Sequence, residues 1–203
     1  MTQIRRFFKD TKQQSKPAVK FTALQLYGDD LMNETIKTLT TRRSVRSYKD
    51  TPVPDDVLKE ILLAGEYAPS GMHKMPAVMV VVKDKETIAK LSKLNAQIMG
   101  KDVDPFYGAP TVVIVFSDTS SHTYLEDGTL VMGNLMNAAA SLGVSSCWIH
   151  RAKEMFRTDE GKEFMKKWGL DDRYVGIGNC ILGYANGDIP SPVARKDNYV
   201  IFD

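Results

Sequence analysis

Two spacings of apolar residues organise the chain. Val57, Ile61, Leu62 and Ala64 recur on one face after Pro54, with acids in the first turn and Pro69 as a stop, which predicts a helix. Ile88, Leu91, Leu94 and Ile98 predict a second over 85–99, a third is expected around 159–168, and Ile36 and Leu39 suggest a short one beginning near 33. Continuous apolar runs of strand length stand between them: AVMVVV (77–82), TVVIVF (111–116) and YVGIGNCILGYA (174–185), with a shorter strand from Cys147 to Ile149. DPFYGAP (104–110) reads as the loop leading into the second of these.

Residues 125–143 follow neither rule. Leu130, Val131, Met132, Leu135, Met136 and the alanines 138–140 surround the helix instead of forming one stripe, and Gly143 is placed to end it. A helix apolar on most faces must be covered on most faces, so it is either the centre of the core or part of a subunit interface. Strands separated by helices, with irregular connections, predict a sandwich of helices around a mostly covered sheet.

Composition narrows the function classes. With 203 residues, 43% hydrophobic, the chain can bury an ordinary core as a single domain. Basic and acidic residues nearly cancel, 27 against 25, so any basic function must be local and no nucleic-acid partner is expected. Two cysteines, Cys147 and Cys180, are too few and too far apart for a disulfide framework or a zinc ribbon and read as reduced thiols of a cytoplasmic protein. No apolar run approaches the roughly 20 residues of a membrane span, and no apolar stretch of signal-peptide length follows the basic start. Residues 1–31 carry six Lys/Arg against three Asp with weak periodicity and are expected to be a mobile extension to a domain spanning 32–203, with Met32 as an original start.

The chemistry begins at TTRRSVRSY (40–48). Arg42, Arg43 and Arg46 gather there with Ser44 and no acid beside them. Such a cluster can be a solvated face or a nucleic-acid patch, but there is no aromatic interleaving; guanidinium forks with a hydroxyl suit a phosphate. APSGMHKMP (68–76) fixes an irregular backbone just before a strand, where amides could meet a flat polar ligand, and SPVARK (191–196) adds Arg195 and Lys196. His73, His122 and His150 have no metal-ligand spacing, so no metal is expected. VGIGNC lacks the third glycine of a dinucleotide fingerprint, and Cys147 has no fixed acid–base partner.

In order, RRSVR (42–46), APSGMHKMP (68–76), GAPTVVIV (108–115), EDGTLVMGNLMNAAASLGVSSCWI (126–149) and LGYANGDIPSPVARK (182–196) resemble the nitroreductase family of flavin-dependent oxidoreductases. The resemblance implies a homodimeric α+β fold, a three-layer α/β/α sandwich around a mostly antiparallel sheet, with FMN at each of two subunit-interface sites. It implies phosphate and ribityl contacts from Arg42, Arg43 and Ser44, joined at the phosphate by Arg195 and Lys196, and a basic group near the flavin pyrimidine in Arg46. Pro69, Ser70, Gly71 and His73 would cover the ring from the partner subunit. Backbone around Ile149, His150 and Arg151 would face flavin N5, and Asn95 would add a polar contact.

The implied activity is ping-pong hydride transfer through flavin N5, from NADH or NADPH to nitroaromatic, quinone or related small-molecule acceptors. Other chemistry on the same fold, such as reductive dehalogenation, and a non-catalytic flavin-binding module with a basic arm remain alternatives. The loop departs from the family pattern at His73, Met75 and Ala77, which bears on substrate range, and His73 invites an acid–base assignment.

Overall fold

The computed structural model describes residues 33–203; the extension expected at 1–31 lies outside the described residues. The elements run α1 (Glu34–Thr41), α2 (Asp55–Glu66), a 3-10 turn (Gly71–His73), β1 (Ala77–Val82), α3 (Lys85–Met99), β2 (Thr111–Asp118), α4 (Tyr124–Ser141), β3 (Ser145–Ile149), α5 (Ala152–Met155), α6 (Asp159–Lys167) and β4 (Tyr174–Gly183). The caps explain several boundaries. Asp84 accepts a hydrogen bond from Thr87 N at 2.9 Å to open α3, and Gly100 closes it in the left-handed region at φ 68°. The Thr158 hydroxyl accepts from Gly161 N at 3.0 Å to open α6.

The strands form one antiparallel sheet in the order β1-β2-β4-β3, and the fold is α+β. Every residue of β2 except Asp118 is buried. Val112, Ile114 and Phe116 face one core, with Ile88, Leu91 and Leu94 of α3 and Met155 of α5. Val113 and Val115 face a second, with Leu58 and Ile61 of α2 and Val131, Met132, Leu135 and Ala139 of α4. Period-2 alternation on a strand covered from both sides thus sets the three layers. The unstriped helix α4 puts one side on the sheet and α2, while Leu125 and Leu130 stay exposed.

The glycines of VGIGNC have packing roles. A Cβ at Gly176 would meet the Ala152 backbone at 2.7 Å, and one at Gly178 would meet the Trp148 indole nitrogen at 2.7 Å. Between them the pairing with β2 slips, so Ile177 bulges toward α4, where a Cβ on Gly128 would lie 2.6 Å from it. Residues Asn33–Pro192 form one compact unit. Val193–Asp203 belongs to a second, exposed and without regular structure, in which the Lys196 ammonium lies 5.3 Å from the Tyr199 ring centre.

Gly176→Ala forces β4 away from the start of α5. It is expected to lower stability by about 1–3 kcal/mol, read as a lower midpoint in chemical denaturation with an unchanged slope.

Candidate functional site

After α1 the chain is extended and pinned to the sheet. Val45 N donates to Ser146 O at 3.1 Å, Lys49 N to Tyr184 O at 2.9 Å and Asn186 N to Ser47 O at 2.9 Å. Val45 and Tyr48 turn inward, with the Tyr48 hydroxyl donating to Val45 O at 2.9 Å, and Arg46 is left exposed between them. Arg42 and Arg43 are half-buried. Arg43 Nη1 donates to Thr40 O at 2.8 Å and to Arg42 O at 2.6 Å. Among the described residues Arg43 Nε and Arg42 Nη1 are buried with no hydrogen-bond partner, and none of the ion pairs involves Arg42, Arg43 or Arg46. A charged donor shielded from water without an acceptor is costly, so this pair of guanidinium groups suits an anion.

The arginine charge is felt inside the sheet. Burial pushes the Cys180 thiol up to about 12, with Arg42 pulling it back down. Burial likewise raises the Tyr48 phenol, against which Arg46 acts downward. Cys180 therefore stays a neutral thiol at physiological pH, and Cys147 is buried beside it in the sheet.

The segment 69–76 has a different anchor. The buried Asp127 carboxylate, near the start of α4, accepts from Ser70 Oγ and from Gly71 N, both at 3.0 Å, and from Thr123 Oγ1 at 3.0 Å. Ser70 Oγ in turn accepts from Met75 N at 2.8 Å. Only glycine fits at 71, where a Cβ would meet Thr123 Oγ1 at 2.4 Å. Met72, His73 and Met75 all hold positive φ, 52°, 53° and 46°, with exposed side chains. A cavity of about 210 Å³ lies behind the loop, lined by Pro69, Ser70, Met75, Asp127 and Val131 among others. A second hollow of about 490 Å³, between α3 and the 102–110 loop, shares no residue with the candidate site.

β3 ends at Ile149, beyond which His150 is exposed and Arg151 stands at φ 76°. Asn95 of α3 is fully buried: its Nδ2 donates to His150 O at 2.8 Å and its Oδ1 accepts from Arg151 Nε at 2.9 Å. Asn179 of β4, also fully buried, donates to Ile149 O at 3.2 Å. β3 thus brings the arginine segment, bonded at Ser146, and the 149–151 segment onto one strand. The 69–73 loop bonds to α4 instead. Arg195 and Lys196 fall in the separate 193–203 unit.

Asp127 and Asn179 escaped sequence reasoning. A carboxylate at the head of an otherwise apolar helix and an amide inside an apolar strand were the signals available. Among the described residues no cluster of His, Cys, Asp and Glu could hold a metal, and no helix is long and apolar enough to cross a membrane.

The sequence model of the Nitroreductase family matches residues 39–184. An Archaeoglobus fulgidus protein with the provisional name NADH dehydrogenase/NAD(P)H nitroreductase is 30% identical, over 83% of this chain and 91% of its own. A Bacteroides fragilis nitroreductase crystallised with bound FMN superposes with a TM-score of 0.78 at 28% identity, covering 84% of this chain and 99% of its own. A Desulfitobacterium hafniense nitroreductase with bound FMN does so at 0.76 and 29%, covering 85% and 100%.

Asp127→Ala removes one acceptor from three donors and leaves three strained residues without their anchor. The variant is expected to lose about 2–4 kcal/mol in chemical denaturation and to be cut by protease within 70–76 under native conditions that leave the wild type whole.

Proposed function

The chain belongs to the nitroreductase family, and on that premise we propose that it is an NAD(P)H-dependent FMN oxidoreductase reducing nitroaromatic, quinone or related small-molecule acceptors. The observation that carries this reading is the pair of buried guanidinium nitrogens, Arg42 Nη1 and Arg43 Nε, that have no acceptor within the described fold. They fit the phosphate of FMN in charge and in donor type. When bound, FMN supplies the redox chemistry, accepting a hydride from NADH or NADPH and passing it to the acceptor.

The protein's own work is to hold and to bias. Arg42, Arg43 and Ser44 grip the phosphate and ribityl chain. Exposed Arg46 favours the more electron-rich reduced ring by simple attraction. The 149–151 backbone lines one face of the ring. Pro69, Ser70, Gly71 and His73, tied to α4 through Asp127, cover the ring of a second subunit. That second copy is supported by the exposed apolar residues Ile36 and Leu39 of α1, Leu63 of α2 and Leu125 and Leu130 of α4.

The test is an absorbance spectrum of the purified protein, repeated after anaerobic addition of NADH and then NADPH. Flavin bands that bleach, together with parallel double-reciprocal lines, are expected; a protein that neither binds nor reduces added FMN would sink the reading. Arg42→Gln and Arg43→Gln each remove a charged donor. Each is expected to raise the Kd for FMN about tenfold to a hundredfold, measured by flavin fluorescence quenching.

A further inference from the structure

Two residues, His150 and Arg151, connect β3 to α5. Arg151 makes the turn at φ 76°, a conformation that is unfavourable for a residue with a Cβ and persists only where its surroundings enforce it. The enforcement comes from two buried asparagines on different elements. Asn179 Nδ2 donates to Ile149 O at 3.2 Å and Asn95 Nδ2 to His150 O at 2.8 Å. Both amide nitrogens also approach the Met155 sulfur, at 3.6 Å from Asn179 and 3.1 Å from Asn95. Asn95 Oδ1 accepts from Arg151 Nε at 2.9 Å, so one side chain fixes both the carbonyl before the strained residue and that residue's guanidinium.

The carbonyl and the N–H of a trans peptide are coplanar and point in opposite directions. Drawing the carbonyls of Ile149 and His150 onto interior amides therefore turns the N–H groups of His150 and Arg151 the other way, out of the core. Neither N–H is bonded to an acceptor among the described residues. We propose that Asn95 and Asn179 are positioning residues that preset these two N–H groups as a paired donor for the isoalloxazine ring. The inference rests on the FMN reading above. The asparagines do not contact the ring: both are fully buried, and Asn95 has each of its polar atoms engaged by protein. Donors held in place before the ligand arrives need no reorganisation, and they favour the ring most when it carries added electron density.

The experiment uses the full-length FMN-loaded protein, with Asn95→Asp and Asn179→Leu. The first keeps the acceptor for Arg151 but sets an oxygen against His150 O; the second removes the donor to Ile149 O. Thermal melts by circular dichroism establish folding, fluorescence quenching gives the Kd of oxidised FMN, and anaerobic titration against a reference dye gives the midpoint potential. Each folded variant is expected to bind oxidised FMN within about threefold of wild type, because the phosphate grip is intact. Each should lose about tenfold of its preference for reduced over oxidised flavin, a midpoint about 30 mV more negative for a two-electron couple. A wild-type midpoint in both folded variants overturns the positioning role. A wild type that holds no FMN overturns the family reading instead, so the two failures are distinct. If neither variant folds, amide hydrogen exchange of the wild type decides: His150 and Arg151 N–H should slow by at least about tenfold on adding FMN, and equal exchange with and without FMN overturns the proposal.

Discussion

Burial of β2 on both faces is the constraint from which the rest follows. With its interior positions packed alternately against α3 and α5 on one side and α2 and α4 on the other, this central strand has no free face on which to build a site. Polar chemistry is confined to strand ends and flanking connections, which is where the candidate residues stand: the arginine segment against β3, the 149–151 turn at its other end, and the loop that leads into β1. Packing thereby decides location before any functional side chain is considered.

The same constraint makes every polar group inside the sheet or its covering helices expensive, so those present should be accounted for one by one. Asp127 satisfies three donors around the 70–71 backbone. Asn95 and Asn179 donate to two successive carbonyls at the end of β3, those of His150 and Ile149. Each polar residue holds a stretch of backbone in a conformation that local preference would not choose, Arg151 in one case and Met72, His73 and Met75 in the other. Arg42 Nη1 and Arg43 Nε, like Asn179 Oδ1 and the hydroxyls of Thr111, Ser117 and Ser146, are buried without a hydrogen-bond partner among the described residues. Of these, only the two guanidinium nitrogens belong to charged groups, for which burial without an acceptor costs most.

Much of the fold was legible because periodicity reports burial directly. The helix near 85–99 and the runs at 77–82 and 111–116 occur where apolar spacing places them. The ambiguity of the 125–143 helix was also physical: the helix does cover the sheet on one side and leave leucines exposed on another. The arginine cluster stood out because charge without countercharge is visible in a string of letters. Asp127 and Asn179 were not legible, since their role depends on which distant backbone atoms the fold brings within 3 Å or so of them. Nor could sequence show that Asn95 spends its amide on His150 and Arg151, because Asn95 and Arg151 are linked only through tertiary packing of α3 against α5. The glycines of VGIGNC were visible but misleading in isolation; their purpose is clearance for Ala152 and Trp148.

The departures of the 69–76 loop from the family pattern can be placed on the same footing. The loop's path is set by Ser70, Gly71, Thr123 and Asp127, through backbone and small-residue contacts that do not involve the side chains of His73 or Met75. Those side chains are exposed, and each sits on a backbone of positive φ that the anchor must offset whatever residue is present. Frame and surface are thus separately specified. A change at 73 or 75 alters the loop's exposed surface without altering where the loop runs, whereas a change at 71 or 127 alters the path itself. The arginines of 42–46 lie on another element and, among the described residues, share no hydrogen bond with this loop, so on the proposed FMN reading substrate range can diverge while cofactor grip is kept.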